Sequence, residues 1–326
     1  MPVQMGVHYP SLSTIHEART LLASHLPVTS LVPVAGLAVS PLHLKLEIEL
    51  PTGSFKPRAA LYALAAQLRT RSITEVTASS TGNHGAAVSW AAKVLGVSAT
   101  IFLPKNPNAV KRKRIVDLGA RIVEAGEPDL AQAAIEAKAY SEHPGCYFLN
   151  DATDSAVPAG TGTIGFEILS QLPAVASIYV PMGDTALIRG LAAAVKQSNP
   201  RVRVIGVQAE LAPSYYLSWK AGRSIETATC NTCADGLATR TPEPQNVSTI
   251  RHLVDEVMLV SEGEMFEAIR LLYQRAGLVA EPAGAAASAA FRKRSSSSQD
   301  SGPAVVLVTG SNISDDVRLE AGLPEN

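Results

Sequence analysis

The sequence predicts an α/β protein with two open, mostly parallel twisted sheets flanked by helices. Three observations predict it. Short apolar or β-branched runs alternate with Ala- and Leu-rich stretches along the chain. Several runs, such as 177–181 and 304–309, are nearly all apolar, which suits strands buried on both faces. Their β-α-β-α order implies right-handed crossovers and therefore parallel sheets.

Strands are expected at 44–49, 75–79, 99–103, 121–124, 146–149, 177–181, 202–208, 256–260 and 304–309. Helices are expected at 57–68, 84–95, 109–118, 130–141, 163–172, 186–197, 263–276 and 284–291. Pro57 suits a first helical turn, where its missing N–H would have had no partner. The helix at 186–197 places Leu187, Ile188, Leu191 and Val195 on one core-facing stripe. Residues 71–149 read as a compact run of alternating strands and helices. They form a small domain inserted in a large one made of 1–70 and 150–326. The stretch 292–302, three basic residues followed by a serine run, reads as a solvated loop between the last helix and the last strand.

Composition narrows the function classes. With 326 residues, 46% apolar and 17% charged, the chain is neither disordered nor fibrous. A net charge of −1 supplies no field to draw it to nucleic acid or anionic membrane. No basic residue precedes Arg19, as a secretory leader would require. The apolar run at 31–46 is broken by Pro33, Pro41, His43 and Lys45, so it is no membrane span. The expected compartment is the cytoplasm. Three cysteines suit a reducing environment. Cys230 and Cys233 form a C-x-x-C, but zinc needs four ligands and no second pair exists.

Three segments place small, polar and glycine residues directly between a strand and a helix. Open α/β sheets bind ligands there, at strand C-terminal ends and helix N-termini. The first runs from Pro51 to Arg58 and contains Lys56. Backbone positive charge at a helix start favours the neutral amine, which can form a Schiff base and then act as a base. An exposed surface lysine is the plain alternative. The second, Ser79 to Gly85, offers backbone N–H groups, hydroxyls and the Asn83 amide to a carboxylate; ordinary helix capping would use the same residues. The third, Pro181 to Leu187, resembles a phosphate cradle with one glycine and an unwelcome Asp184.

Together these segments resemble the fold-type II pyridoxal-phosphate enzymes, the tryptophan synthase β-like family. Within it they are most similar to serine/threonine ammonia-lyases (dehydratases) and serine racemase. The resemblance rests on six segments in family order: Thr52 to Lys56, Ser80 to His84, Ala159 to Gly165, Ala234 to Gly236, Glu281 to Gly284 and Thr309 to Asn312. It implies pyridoxal 5'-phosphate as cofactor, with 1–70 and 150–326 as the cofactor-binding domain and 71–149 as the substrate-binding domain. It further implies that Lys56 holds the cofactor as a Schiff base, Phe55 packs beside the ring and Asn83 bonds the ring hydroxyl. Ser80, Thr81, Gly82, Asn83 and His84 would bind the substrate carboxylate. Gly183, Asp184, Thr185, Ala186 and Leu187 would hold the phosphate. Thr309 would sit beside the pyridine nitrogen. A neutral hydroxyl there makes the ring a weak electron sink, which favours early loss of a β-leaving group over transamination.

The expected activity is elimination of water from a β-hydroxy amino acid such as serine or threonine, giving a 2-oxo acid and ammonia, by a homodimer. A β-replacement or threonine-synthase-like enzyme, or a non-catalytic binder of the cofactor, are the alternatives. The sequence departs from the family in places. Thr81 replaces a serine that acts as the opposite-face acid or base, and its β-branch restricts the rotamer, which weighs against racemisation. Gly183-Asp184-Thr185-Ala186 replaces a run of glycines, so Asp184 must point away or find a cation. Ala59 stands where glycine is usual. Gln208 and Ser214 fall where racemase and its relatives carry two metal-binding carboxylates, so no metal is expected. Glu210 is expected at a surface or interface. Asp117, Asp151 and Asp154 have no evident partner. The end of the sequence near Asn326 gives no expectation of a C-terminal regulatory domain.

Overall fold

Two sheets organise the described residues of the computed structural model, which are 7–34, 41–80, 82–105, 109–127, 130–295 and 302–324. The larger runs β1 (Leu31–Val34), β2 (Leu42–Leu46), β10 (Ala304–Val308), β7 (Ser177–Pro181), β8 (Arg203–Ala209), β9 (Glu256–Val260). Only β1 pairs antiparallel, and it carries Pro33 at the sheet edge, where a missing N–H is tolerated. The smaller sheet runs β5 (Arg121–Glu124), β4 (Ser98–Leu103), β3 (Glu75–Ser79), β6 (Cys146–Phe148), all parallel. The two-sheet α/β architecture read from the sequence is therefore present. Every residue of β7 and β10 is buried, which explains their unbroken apolar character.

Helices cover both faces of the larger sheet. On one side lie α10 (Glu262–Ala276) and α11 (Pro282–Ser295); on the other α6 (Val157–Gln171), α7 (Ala186–Ser198) and α9 (Pro244–Leu253). The stripe of Leu187, Ile188, Leu191 and Val195 is buried, as expected. Between the sheets, α2 (Lys56–Leu68) and α3 (Asn83–Leu95) share a core with α1 (Leu12–Leu22) and strands of the smaller sheet. Helices α4 (Ala109–Asp117) and α5 (Leu130–Tyr140) follow β4 and β5.

The elements differ from those expected in several places, and two of the differences have a visible physical cause. The strand expected at 44–49 ends at Leu46 and turns into a 3₁₀ turn, Glu47–Glu49. Glu47 is drawn into the core, where it accepts from Arg58 Nε at 2.8 Å. Helix α6 begins at Val157 rather than 163. Its glycines, which resemble loop residues, are close-approach positions: a Cβ on Gly160 would lie 2.3 Å from the Arg58 carbonyl oxygen and 3.1 Å from Ala59 Cα. Gly162, Gly165 and Gly190 admit α7 against α6 in the same way. Thus the small residue that lets α2 and α6 meet is Gly160, and Ala59 fits there fully buried. Residues 292–295, expected in a loop, continue α11; 296–301 lie outside the described residues. Helices α1, α8 (Ser214–Ala221) and α9, and strand β1, were not anticipated. The acidic pair Asp315-Asp316 opens α12 (Asp315–Glu320) on its exposed first turn.

A buried charge cluster fixes the start of α2. Arg58 donates to both Glu47 and Glu167, with Nη1 to Glu167 Oε1 at 2.6 Å. Lys45 Nζ lies 2.6 Å from Glu167 Oε2 and 2.8 Å from the Thr29 carbonyl. Thr29 Oγ1 donates to Glu47 at 2.7 Å. Burial pulls the Lys45 amine below its ordinary range, although Glu47 and Glu167 oppose this. Each ion has a counter-ion and further hydrogen bonds, the condition under which buried charge is tolerated.

Candidate active site

The three strand-to-helix segments singled out in the sequence follow β2, β3 and β7, and they converge. The segment after β10 and the segment before α2 are laced together. Phe55 N donates to Thr309 O at 3.1 Å, Ser311 N to Gly53 O at 2.9 Å, and Asn312 Nδ2 to Thr52 O at 3.0 Å. Gly53 has φ +62°, and a Cβ there would lie 2.8 Å from Ser311 Oγ, so only glycine fits. This lacing sets Lys56 at the first residue of α2. The Phe55 ring centroid lies 5.1 Å from Lys56 Nζ. Thr309 is buried at the end of β10.

Lys56 does not stand free. It bonds Asp151 Oδ2, and Asp184 Oδ2 lies 3.4 Å away. Burial alone would lower the proton affinity of the amine, but the two carboxylates outweigh it and raise the pKa well above the usual lysine value. The expectation of an amine kept neutral by the helix start is corrected accordingly: the charges beside Lys56 decide its state in this structure. Burial opposes ionisation of Asp151, but His84 and Lys56 prevail and hold it below the usual carboxylate range. Asp184 shifts the other way, upward, through burial and then Asp151.

Asp184 is where the phosphate cradle is expected, between β7 and α7. Its Oδ1 accepts from Ala186 N at 2.9 Å, so the carboxylate both caps the helix and meets a cation. Gly183 is indispensable, since a Cβ would fall 2.1 Å from Gly236 O. Thr185 adopts φ 73°, an uncommon and strained conformation for a β-branched residue. Its Oγ1 accepts from Arg189 Nε at 3.1 Å. Arg189 also donates to the carbonyls of Asp151 at 3.2 Å and Ala152 at 2.9 Å. Burial lowers its pKa despite Asp184 nearby. Ala186 and Leu187 begin α7, both buried.

The smaller sheet contributes the opposite wall. Ser80 Oγ accepts from Gly82 N at 3.1 Å, and α3 starts at Asn83. Thr81 lies outside the described residues. Asn83 Nδ2 donates to Glu281 Oε1 at 2.7 Å, and its Oδ1 accepts from Asn312 Nδ2 at 2.5 Å. His84 is buried; its Nε2 lies 3.0 Å from Leu149 O and its Nδ1 3.3 Å from Asp151 Oδ2. The structure thus brings Phe55, Lys56, Ser80, Gly82, Asn83, His84, Gly183 to Leu187 and Thr309 to the ends of the two sheets.

Sequence reasoning missed Asp151, Arg189 and Glu281 as members of the site. Asp151 had a legible signal, because it lies three residues past the last strand of the smaller sheet. Asp154 instead accepts from Tyr147 and caps Ala156, and Asp117 pairs with Lys113 on the surface. At the position of the expected metal carboxylates, Gln208 Oε1 accepts from Tyr216 N at 2.7 Å and Ser214 Oγ donates to Thr239 O at 2.5 Å. Glu210 is exposed, 3.5 Å from Lys293. Among the described residues no group of three metal-ligating side chains occurs, and Cys146, Cys230 and Cys233 are free thiols.

This geometry agrees with comparison to known proteins. Residues 22–310 match the family model for pyridoxal-phosphate dependent enzymes. The chain belongs to that family. It is 38% identical over 275 residues to an L-threonine ammonia-lyase of Geobacter sulfurreducens, covering 84% of this chain and 67% of that protein. A catabolic L-threonine dehydratase of Staphylococcus aureus is 32% identical over 316 residues, 94% of this chain and 90% of the other. Maize serine racemase superposes with a TM-score of 0.88 at 27% identity, covering 97% of both chains. Threonine deaminase isoform 2 of Solanum lycopersicum gives 0.88 at 25%, covering 98% of this chain and 97% of that one.

The family's cofactor is pyridoxal phosphate, and the residues fit it. A lysine amine, a helix N-terminus behind a glycine that tolerates no Cβ, a buried hydroxyl and the Asn83 amide occupy one cleft. Within the phosphate loop Asp184 opposes a phosphate, and Lys56 and the Ala186 N–H already engage it.

Proposed function

We propose that this protein is a pyridoxal-phosphate-dependent ammonia-lyase that removes water from a β-hydroxy amino acid, giving a 2-oxo acid and ammonia. The carrying observation is the placement of Lys56 at the meeting point of both sheets' C-terminal ends, laced to Thr309. Relatives named L-threonine ammonia-lyase and L-threonine dehydratase support the reaction class.

The cofactor, held by Lys56, would draw electrons from the substrate's Cα, so that its proton becomes acidic and the β-hydroxyl can leave. This chain's residues do the rest. Lys56 Nζ takes the Cα proton as general base. The N–H groups that open α3 at Gly82 and Asn83 hold the substrate carboxylate, assisted by the Ser80 hydroxyl. Thr81, which lies outside the described residues, is proposed as the opposite-face acid or base on the sequence resemblance alone. Gly183 to Leu187 hold the phosphate, with Arg189 bracing the loop through Thr185. Thr309 presents a neutral hydroxyl to the ring nitrogen, which favours elimination over transamination. The smaller sheet and its helices, 71–149, form the substrate-binding domain and the remainder the cofactor-binding domain. Two strand sets that do not interleave support this division.

The assembly is read as a homodimer working in the cytoplasm without a bound metal. No helix among the described residues is long and apolar enough to cross a membrane. The test is release of ammonia and 2-oxo acid over a panel of L- and D-β-hydroxy amino acids, with and without added thiol. A β-substituted product with thiol would convert the reading to a replacement enzyme, and no turnover on any member would overturn it.

A further inference from the structure

The cleft carries more negative charge than removal of water from serine or threonine uses. Asp151 and Asp184 converge on Lys56 Nζ from two different loops, one after β6 and one after β7. Their side chains are 14% and 27% exposed, so solvent screens them poorly. In the working enzyme Lys56 attaches the cofactor and then must be a neutral base, and a neutral amine is no counter-ion. Arg189 is near both carboxylates, but its hydrogen bonds go from Nε to Thr185 Oγ1 and from Nη2 to the carbonyl oxygens of Asp151 and Ala152, so it makes no direct bond that replaces that of Lys56. A second polar group waits at the same place. His84 is more than nine-tenths buried, and its Nδ1 makes no hydrogen bond while facing Asp151 Oδ2 at 3.3 Å. Serine and threonine commit their α-amine to the cofactor and their carboxylate to the start of α3. Beyond these they offer only the β-hydroxyl, a neutral group with one hydrogen to donate, which cannot replace a cation. Buried charge left unpaired is strongly unfavourable.

We propose that Asp151 and Asp184 form a seat for a positively charged group on the substrate's side chain, so that the β-hydroxy amino acid taken by this enzyme carries a second amine beyond its β-carbon. This specificity rests on the lyase reading above. In this structure Lys56 Nζ occupies the seat. A substrate ammonium there replaces Lys56 as the counter-ion, and its positive charge beside the lysine favours the neutral amine that proton abstraction needs. The seat therefore serves both recognition and activation. A neutral side chain leaves the lysine held as an ammonium by the two carboxylates, the direction its raised pKa already shows.

The experiment uses the holoenzyme and two readouts. Ammonia release is measured on threonine, and on β-hydroxy amino acids bearing an amine one to three carbons beyond the β-carbon. Each amine is also tested in its N-acetylated form. At least one amine-bearing substrate should exceed threonine in kcat/KM by at least about tenfold, and acetylation should abolish the advantage. In Asp151→Asn the preference should collapse, mainly through KM. Equilibrium binding is measured separately with unreactive analogues that lack the β-hydroxyl, each diamino acid against its neutral isostere. The diamino acids should bind tighter, and Asp151→Asn or Asp184→Asn should remove the difference. Equal kcat/KM for threonine and the amines, or equal binding of diamino acids and isosteres, overturns the seat while leaving the lyase reading intact. Absence of ammonia from every compound overturns the lyase reading, and the binding comparison then still decides the seat.

Discussion

Two clusters of buried charge sit two residues apart on helix α2, and they are built on opposite terms. Around Arg58, two cations (Arg58, Lys45) face two carboxylates (Glu47, Glu167); Thr29 Oγ1 donates to Glu47, and Thr163 Oγ1 accepts from Arg58. Around Lys56, one amine faces two carboxylates, His84 keeps an unbonded nitrogen, and Thr185 holds a strained backbone. The first cluster is closed and has no reason to change. The second has groups that are satisfied only in alternatives, as expected where ligands come and go. The difference teaches that burial of charge is not by itself a mark of function; imbalance is the better sign.

The comparison can be broken most sharply at Lys56. Lys56→Ala should reduce turnover by about 10³-fold or more, because the base and the cofactor tether both go. Its far-ultraviolet circular dichroism should remain that of the parent. Retained turnover would remove Lys56 from the chemistry. Arg58→Met should act in the reverse sense, on stability. Removing one partner from a balanced buried cluster costs about 3–5 kcal/mol, to be read from urea unfolding, and a loss well below that would mean the cluster is not the anchor of α2.

A finer test separates the two carboxylates of the imbalanced cluster. The folded-state pKa of Asp151 is lowered, so its ionised form stabilises the fold above the ordinary carboxylate range, and that contribution fades as pH falls toward the lowered value. Asp184 is raised, so its ionisation weakens the fold, and stability returns as pH falls through its raised value. In cofactor-stripped protein at neutral pH, Asp151→Asn should lower the melting temperature and Asp184→Asn should raise it. Both effects should shrink on acidification. The same sign for both variants would mean that the two carboxylates are not electrostatically distinct.

Thr309→Asp should slow elimination and give new long-wavelength absorbance on adding substrate; an unchanged rate and spectrum would mean that Thr309 does not meet the ring nitrogen. The smallest expected effect is that of excess chelator. Gln208 and Ser214 are already hydrogen-bonded where carboxylates would hold a metal, so turnover and melting temperature should not move. A loss restored by Mg²⁺ or Ca²⁺ would show a site elsewhere.

The sequence by itself determined the two-sheet α/β class, the identity of Lys56, and the strand-end loops that carry the site. These depend on local patterns, such as apolar runs of strand length and small residues placed before a helix. It also marked Asp184 as a residue that must point away or find a cation. Tertiary structure decided which cation that is. Asp151 follows Lys56 by 95 residues and Asp184 by 128, and no local spacing announces that three such positions meet. Tertiary packing likewise drew Gly160 and Gly162, which precede the helix expected at 163–172, into the contact face of α6, because a glycine's role there is set by the helix it touches. Local chemistry names the groups a site can use; the charge state they adopt depends on neighbours that only the folded chain supplies.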